Sequence, residues 1–102
     1  TREPGGTALG GRIRSMVLGD GEAPHPRAEV LLFAADRAHH VETLIRPALE
    51  RREWVVSDRY LYSSVAFQGF GRELGAGLVE QVNEMATGGL CPDLVILLDL
   101  DP

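Results

Sequence analysis

The fold of this chain is decided by the stretch Trp54-Val55-Val56-Ser57-Asp58-Arg59-Tyr60. Its first four residues are mostly aromatic and β-branched, which is typical of a buried strand, and a polar, helix-prone segment follows them. In open parallel α/β sheets, ligands bind beyond the carboxyl ends of the strands. Asp58 and Arg59 therefore lie where a phosphate could bind, although the pair taken alone is more often an ion pair that closes the strand.

Outside this stretch, helical patterns alternate with a second apolar strand, predicted over residues 94–100. Both apolar runs are continuous and are separated by helices, which indicates parallel strands covered on both faces and an α/β fold. The predicted helices run from a Thr7 cap to Gly19, over 28–45 with a kink or restart at Pro47 through Arg52, over 63–68, and over 76–87 before Gly88-Gly89.

Length and composition narrow the class of protein. The chain has 102 residues, 44% of them hydrophobic and 25% charged, which fits one domain or part of one. Its net charge of -5 does not favour nonspecific binding to nucleic acid or to an anionic membrane, and no apolar run is long enough to cross a bilayer. A single cysteine, Cys91, excludes an internal disulfide framework, so we expect a reducing, cytoplasmic setting.

Two of the clusters that could carry chemistry precede the central stretch. The glycines of residues 1–7 expose backbone amides that can bind an anion at a helix N-terminus, and Arg2 could add a paired hydrogen bond, although the segment could also be a plain turn. Phe33 and Arg37 share a helix face and could contact a base ring together with its edge. Alternatively, Phe33 is a core residue and Arg37 pairs with Asp36 or Glu29.

Two further groups of residues could carry chemistry, one at 63–68 and one at the neighbouring histidines 39 and 40. Ser63, Ser64, Phe67 and Gln68 lie within about one and a half helical turns, so they could line one pocket. No histidine and acid mark either serine as a nucleophile, so acyl transfer is not supported. His39 and His40 are neighbours whose side chains point apart on a helix; we expect them to be solvated and not to form a metal site.

Five motifs occur in an order that resembles the bacterial thymidylate kinases. They are Thr-Arg-Glu-Pro-Gly-Gly-Thr at 1–7, Leu-Phe-Ala-Ala-Asp-Arg at 32–37, Asp-Arg-Tyr at 58–60, Ala-Phe-Gln-Gly at 66–69, and Ala-Thr-Gly-Gly-Leu-Cys-Pro-Asp-Leu at 86–94. The resemblance implies a P-loop NTPase-type parallel sheet with helices on both faces. Residues 1–102 would be the central part of a single nucleoside-monophosphate-kinase domain, and the protein would be a homodimer.

The resemblance also implies a base site. Phe33 would stack on thymine, Arg37 would hydrogen-bond its O4 edge, and Ser64 with Gln68 would approach the N3 side. Phe67 would form the pocket wall under the sugar. The expected substrates are ATP and dTMP.

A phosphate site is implied beside it. Arg59 would hold the dTMP phosphate, Asp58 would organise Mg²⁺ through water, and Arg2 would lie near the acceptor phosphate. Phosphoryl transfer needs aligned anions and neutralised charge, which these groups suit. The remaining residues expected on the substrate side are Glu3, Tyr60 and Ser63.

The chain contains no Gly-x-x-x-x-Gly-Lys-Ser/Thr motif, so the loop that would hold ATP is not in it, nor is the Arg-bearing lid expected after Pro102. In the family's strand order, 54–57 and 94–100 would flank a central strand that is also missing. We therefore expect these residues alone to be a fragment, inactive and poorly folded. The alternatives are a kinase for another nucleoside monophosphate or a deoxynucleoside, and a noncatalytic module that binds nucleotides or a partner.

Overall fold

The computed structural model describes residues 1–60 and 75–97, apart from the side chain of Ala76. The regular elements in that part of the chain are helices: α1 (Ala8–Leu18), α2 (Pro26–His40), a π-helical turn (Val41–Ile45), α3 (Arg46–Glu50) and α4 (Ala76–Thr87). Helix α2 packs against both α1 and α4 and so forms the centre of the described structure. Its core consists of Ile13, Val30, Val41, Ile45, Ala48, Val79 and Ala86.

Helix α1 begins and ends where the sequence predicts. The Thr7 hydroxyl accepts a hydrogen bond from the Gly10 amide (2.9 Å), which satisfies one of the amides that a helix N-terminus leaves without a partner. At the other end, the Gly19 amide donates to the Ser15 carbonyl. Its apolar residues at helical spacing are Leu9, Ile13, Met16 and Val17, and of these only Ile13 is buried. Helix α1 therefore contacts the rest of the structure along a narrow stripe.

Helix α2 begins two residues earlier than predicted, because Pro26 occupies its first position, where a missing N–H costs nothing. His25 caps it, with Nδ1 accepting from the Arg27 amide (3.1 Å). The kink or restart predicted at Pro47 takes the form of a π-helical turn just before it, in which the Arg46 amide donates to the Val41 carbonyl, and the helix then continues to Glu50. Proline cannot donate to the carbonyl four residues back, so the helix widens by one residue before continuing as α3.

Helix α4 ends at Gly88 in the left-handed conformation (φ 60°), which confirms the predicted glycine stop. Arg46 Nη2 donates to the carbonyls of Thr87 (3.0 Å) and Gly88 (3.2 Å). These bonds satisfy carbonyls that the helix end leaves without an internal partner and attach α4 to the start of α3. The helix predicted over 63–68 lies outside the described residues.

The predicted strands are the part of the fold that the structure bears out least. Within residues 1–60 and 75–97 there is no regular strand, and the one isolated bridge joins Arg2 to Asp58 in parallel. The prediction that 54–57 is buried is wrong here: Trp54 is 97% exposed and Val56 is 78% exposed. Residues 94–97 are likewise exposed. The described residues leave the faces of these segments uncovered, so their apolar side chains are exposed to solvent.

The described helices include none that is both long enough and apolar enough to cross a lipid bilayer.

Candidate functional site

The Arg2-Glu3 segment and the Asp58-Arg59-Tyr60 segment lie side by side. The Asp58 amide donates to the Thr1 carbonyl (3.0 Å), the Glu3 amide donates to the Asp58 carbonyl (3.0 Å), and the backbone nitrogen of Thr1 donates to the Val56 carbonyl (2.9 Å). This is the hydrogen-bonding pattern of a parallel pair. Residues 1–3, which the sequence left as either part of an anion-binding segment or a plain turn, therefore run beside 56–58, and both segments end at the same edge.

The Glu3 carboxylate joins this edge to helix α2. Its Oε1 accepts from Arg37 Nε (2.6 Å) and its Oε2 accepts from His40 Nδ1 (2.8 Å). Glu3 is 4% exposed, Arg37 is 1% exposed and His40 is fully buried. Such charge-assisted bonds are strong where water is excluded. Glu3, which the resemblance assigned to the substrate, is thus engaged by two side chains of the protein itself.

Arg37 has further contacts on other elements. Its Nη1 donates to Oδ1 of Asn83 on α4, and its guanidinium lies over the Tyr60 ring, 5.4 Å from the ring centroid. The Tyr60 hydroxyl donates to the Leu90 carbonyl (2.9 Å), and burial raises the pKa of Tyr60 to about 12, with Glu3 as a further cause. Arg37 therefore lies where α2, α4 and the Asp58-Arg59-Tyr60 segment meet.

Asp36, the neighbour of Arg37, is also buried. Its Oδ1 accepts from the Gly5 amide (3.2 Å), and Oδ2 has no hydrogen-bond partner among the described residues. Burial raises the pKa of this carboxyl above its ordinary value; the Gly5 hydrogen bond opposes the shift, and the nearby Glu3 adds to it. The close approach of Gly10 on α1 leaves no room for a side chain next to Asp36.

The predicted phosphate-side residues are accessible. Arg2, Asp58 and Arg59 are all exposed, and Arg59 has a positive φ of 69°, which is uncommon for a residue with a side chain. The Ser57 hydroxyl donates to the Arg59 carbonyl (2.9 Å) and closes the local turn. Two guanidiniums and a carboxylate therefore stand at one solvent-facing edge, where an anionic ligand could reach them.

The other predicted residues are less closely connected. Phe33 is half-buried on α2, one turn before Arg37. Four residues predicted to line one pocket lie outside the described residues: Ser63, Ser64, Phe67 and Gln68. Asp58 stands alone as a metal-binding candidate, since the part of the chain that the structure describes contains no group of three ligating side chains around one point.

Sequence reasoning missed two members of the cluster around Arg37. His40 is not solvated as expected but fully buried, and Asn83 was not considered. A signal for both exists in the helical spacing: Phe33, Arg37 and His40 recur every three or four residues on α2, and Asn83 shares the face of α4 that buries Val79 and Ala86. The expected partners of Arg37 were Asp36 or Glu29, whereas the ion pair observed is with Glu3.

Comparison with known proteins gives consistent matches over nearly the whole chain. A family model described as thymidylate kinase matches residues 1–102. The thymidylate kinase of Leifsonia xyli subsp. xyli is 63% identical over 101 residues, which are 99% of this chain and 48% of that protein. That of Synechococcus sp. (strain CC9605) is 57% identical over 102 residues, covering 98% of this chain and 49% of that protein. The chain spans about half the length of the curated relatives it matches.

Among solved structures, a crystal structure of thymidylate kinase from Ehrlichia chaffeensis matches with a TM-score of 0.90 and 33% sequence identity. The match covers 98% of this chain and 56% of that one. The arrangement of elements described above is therefore the arrangement found in part of that enzyme.

Proposed function

This chain belongs to the thymidylate kinase family, and from that premise we propose that it forms the central part of an enzyme that phosphorylates dTMP with ATP. The observation that carries the proposal is the meeting of the Arg2 and Asp58-Arg59 segments at one solvent-facing edge, with Arg37 held close behind. The reaction is inferred from membership of the family. Arg2 and Arg59 at this edge are cationic groups of the kind that phosphoryl transfer needs.

Phosphoryl transfer has little covalent work for protein side chains, so catalysis consists mainly of alignment and charge stabilisation. In the proposed site, Arg59 binds the dTMP phosphate, and Arg2, on the neighbouring segment, adds positive charge near the acceptor. The phosphate oxygen of dTMP is already ionised, so it needs no general base to become a nucleophile. The backbone pairing of residues 1–3 with 56–58 supports this arrangement because it keeps the two arginines at the same edge.

The proposed metal is Mg²⁺. Asp58 offers an exposed carboxylate, the oxygen type that Mg²⁺ prefers, and this ion commonly keeps several waters and binds through one or two carboxylates and substrate phosphates. Asp58 would hold it through water. When bound, Mg²⁺ neutralises charge on the phosphoryl group in transfer.

On the base side, Phe33 and Arg37 would contact thymine, together with Ser63, Ser64, Phe67 and Gln68. Arg37 is almost completely buried, and the Tyr60 ring is one of the described groups that cover its guanidinium. A base would therefore reach the guanidinium only by displacing part of this cover. The Glu3 and Asn83 contacts support the proposal because they approach Arg37 from within the protein.

We also propose the finer fold features that the family implies. These are a P-loop NTPase-type parallel sheet, which the parallel bridge between Arg2 and Asp58 supports, and a homodimer formed by helices. Leu78 and Met85 on α4 are apolar and exposed, as residues at such an interface would be in a single chain. Sedimentation of the full-length protein tests the dimer; a monomer at micromolar concentration would exclude it.

The central experiment measures ATP-dependent phosphorylation of dTMP, dUMP, dCMP, dGMP and dAMP by the full-length protein. We expect selective turnover of dTMP and, in Arg59→Ala, a loss of about 100-fold or more in kcat/KM, because a group that stabilises transferring charge is removed. Arg52→Ala is the matched control, since Arg52 is also an exposed arginine with a positive φ (60°) but belongs to neither of the paired segments 1–3 and 56–58. Equal turnover of all five would indicate another kinase, and no turnover a noncatalytic module.

A further inference from the structure

Both oxygens of the buried Glu3 carboxylate are used within the protein. One oxygen accepts from Arg37 Nε and the other from His40 Nδ1, and all three side chains are at most 2% exposed. Nε is the guanidinium nitrogen that is bonded to the side-chain Cδ. A hydrogen bond to it therefore limits rotation of the whole planar group. Glu3 thus restrains the orientation of Arg37 and not merely its charge.

A second restraint comes from another helix. Asn83 on α4 accepts from Arg37 Nη1, so bonds from two different elements hold the plane of the guanidinium. A long arginine side chain loses rotamer entropy when a ligand orders it, and a side chain that is already ordered loses less. An Arg37 held in this way would offer a fixed edge to a base once the cover over its guanidinium is displaced.

His40 orients Glu3 in turn. An ionised carboxylate only accepts hydrogen bonds, so His40 Nδ1 must carry the proton of the 2.8 Å bond. In the neutral ring, Nε2 then accepts from the Thr1 hydroxyl, 2.6 Å away. Every polar atom of the imidazole is therefore used, and the ring holds the Glu3 carboxylate on the side opposite Arg37.

Glu3 also connects this cluster to the Asp58-Arg59 segment, which is proposed to bind the phosphate. The Glu3 amide donates to the Asp58 carbonyl, immediately before Arg59. The backbone of Glu3 thus fixes the segment proposed to bind phosphate, while its side chain fixes the residue proposed to read the base. Glu3 is therefore hydrogen-bonded to both halves of the proposed substrate site, through its backbone and through its side chain.

We infer that Glu3, His40 and Asn83 are positioning residues that hold the Arg37 guanidinium in the orientation required for selecting the base, and that Glu3 itself does not contact substrate. This inference rests on the proposed function and deepens it. A buried ion pair that joins three segments could instead have a purely structural role and only stabilise the fold. The positioning role that we infer differs because it affects base selection.

The test uses His40 variants of the full-length protein. We expect His40→Ala to raise the KM for dTMP about three- to tenfold, the cost of losing the order of one long side chain, and to leave the KM for ATP unchanged. The preference for dTMP over dCMP in kcat/KM should fall with it. His40→Asn should recover most of the loss, because the asparagine amide offers a donor at the position of Nδ1. His39→Ala, a half-buried neighbour outside the cluster, is the matched control.

A double-mutant cycle separates positioning from general support. If His40 acts through Arg37, then His40→Ala should change neither the KM for dTMP nor the base preference once Arg37→Ala is present. An equal effect of His40→Ala in both backgrounds would overturn the inference. Thermal unfolding of each variant shows which of them are folded.

Glu3→Gln provides a second route if His40→Ala does not fold. The glutamine oxygen can still accept from Arg37 Nε, and its amide can donate to His40, whose proton then moves to Nε2. We expect a smaller rise in the KM for dTMP than in Glu3→Ala, and an unchanged KM in both variants would refute positioning. A wild-type protein that does not phosphorylate dTMP would overturn the proposed function, whereas an active one with unaltered variants would overturn only this inference.

Discussion

Three adjacent charged side chains are buried in this structure, and they differ in how well their hydrogen-bonding groups are satisfied. Glu3 accepts one bond on each oxygen, and Arg37 donates to Glu3 and Asn83. Asp36 accepts one bond on Oδ1, while its Oδ2 has no partner among the described residues. A buried acceptor without a donor is costly. Glu3 and Arg37 therefore form a stabilising ion pair, whereas burial disfavours the charged carboxylate of Asp36.

Replacing Asp36 should make folding less sensitive to pH. Because burial raises the pKa of the folded Asp36 carboxyl above 3.8, the folded state binds more protons, and stability falls as the pH rises from that value through the raised pKa. Asp36→Asn removes this loss while keeping an oxygen for the Gly5 amide. We expect the variant to gain stability relative to wild type, by about 1 kcal/mol at pH 7.5, and to lose that advantage near pH 3.8.

Thermal unfolding between pH 3.5 and 8 measures this difference on the full-length protein. Asp20→Asn, at an exposed aspartate, is the control and should show no such trend. A stability difference for Asp36→Asn that stays constant across the range would contradict the prediction.

Arg37 should determine which base is accepted. We expect Arg37→Ala to reduce kcat/KM for dTMP more than for dCMP, by about tenfold, because a site built to hydrogen-bond a substrate rejects analogues that lack the matching group. The ratio of the two substrates in one preparation does not depend on the folded fraction. It is therefore the right measurement for a buried arginine whose loss also leaves Glu3 without its ion pair. A parallel decrease for both nucleotides would show that Arg37 does not read the base.

At the scale of elements, α2 is the helix around which the described part of the structure is organised. One face presents Phe33, Arg37 and His40 towards the candidate site or core, and its C-terminal end continues through the π-helical turn into α3. Helix α1 crosses α2 at Gly10, where the glycine lies against Asp36. The position of residues 1–7 relative to Arg37 therefore depends on how closely α1 and α2 approach each other.

Neighbouring glycines on α1 should respond in opposite ways to alanine. A methyl group at Gly10 would collide with Asp36 Oδ1 and lie 3.0 Å from the Thr7 hydroxyl that caps the helix. We expect Gly10→Ala to cost about 1–3 kcal/mol, as overpacking does. At Gly11 the added methyl meets nothing within 4 Å, so Gly11→Ala should stabilise by up to about 1 kcal/mol through helix propensity.

Denaturant unfolding of the two variants against wild type checks this pair. Because the substitutions are identical and adjacent, differences in propensity largely cancel between them. Equal effects would show that α1 does not approach α2 closely at Gly10.

At the scale of the whole molecule, the exposed apolar segments are the main feature. Trp54, Val56 and residues 94–97 form runs typical of interior strands, yet they face solvent in this chain. Apolar strand segments of this kind need neighbours on their edges and helices on their faces. The rest of a longer protein would supply both.

The 102 residues by themselves should therefore unfold without a cooperative transition. We expect a broad, low-amplitude thermal transition monitored by circular dichroism, together with aggregation through the exposed segments. The full-length protein should show a sharp transition under the same conditions. A cooperative, high-amplitude transition of the isolated chain would refute this expectation.

The sequence by itself determined the features that depend on nearby residues. The Thr7 cap, the Pro47 irregularity and the Gly88 stop each depend on groups within about two turns, so residue chemistry sufficed to predict them. The order of the five motifs was likewise enough to identify the family. Roles for Phe33, Arg59, Ser63, Ser64, Phe67 and Gln68 remain predictions.

Only the tertiary structure decided how distant residues combine around Arg37. Glu3 and Asn83 lie 34 and 46 positions from Arg37 in the sequence. His40 is buried, but the sequence around it does not distinguish a buried histidine from a solvated one. Their meeting depends on the parallel pairing of residues 1–3 with 56–58 and on the packing of α2 against α4. Local chemistry limits which conformations each segment adopts, but only the packing of whole elements brings a carboxylate, an amide and an imidazole to one arginine.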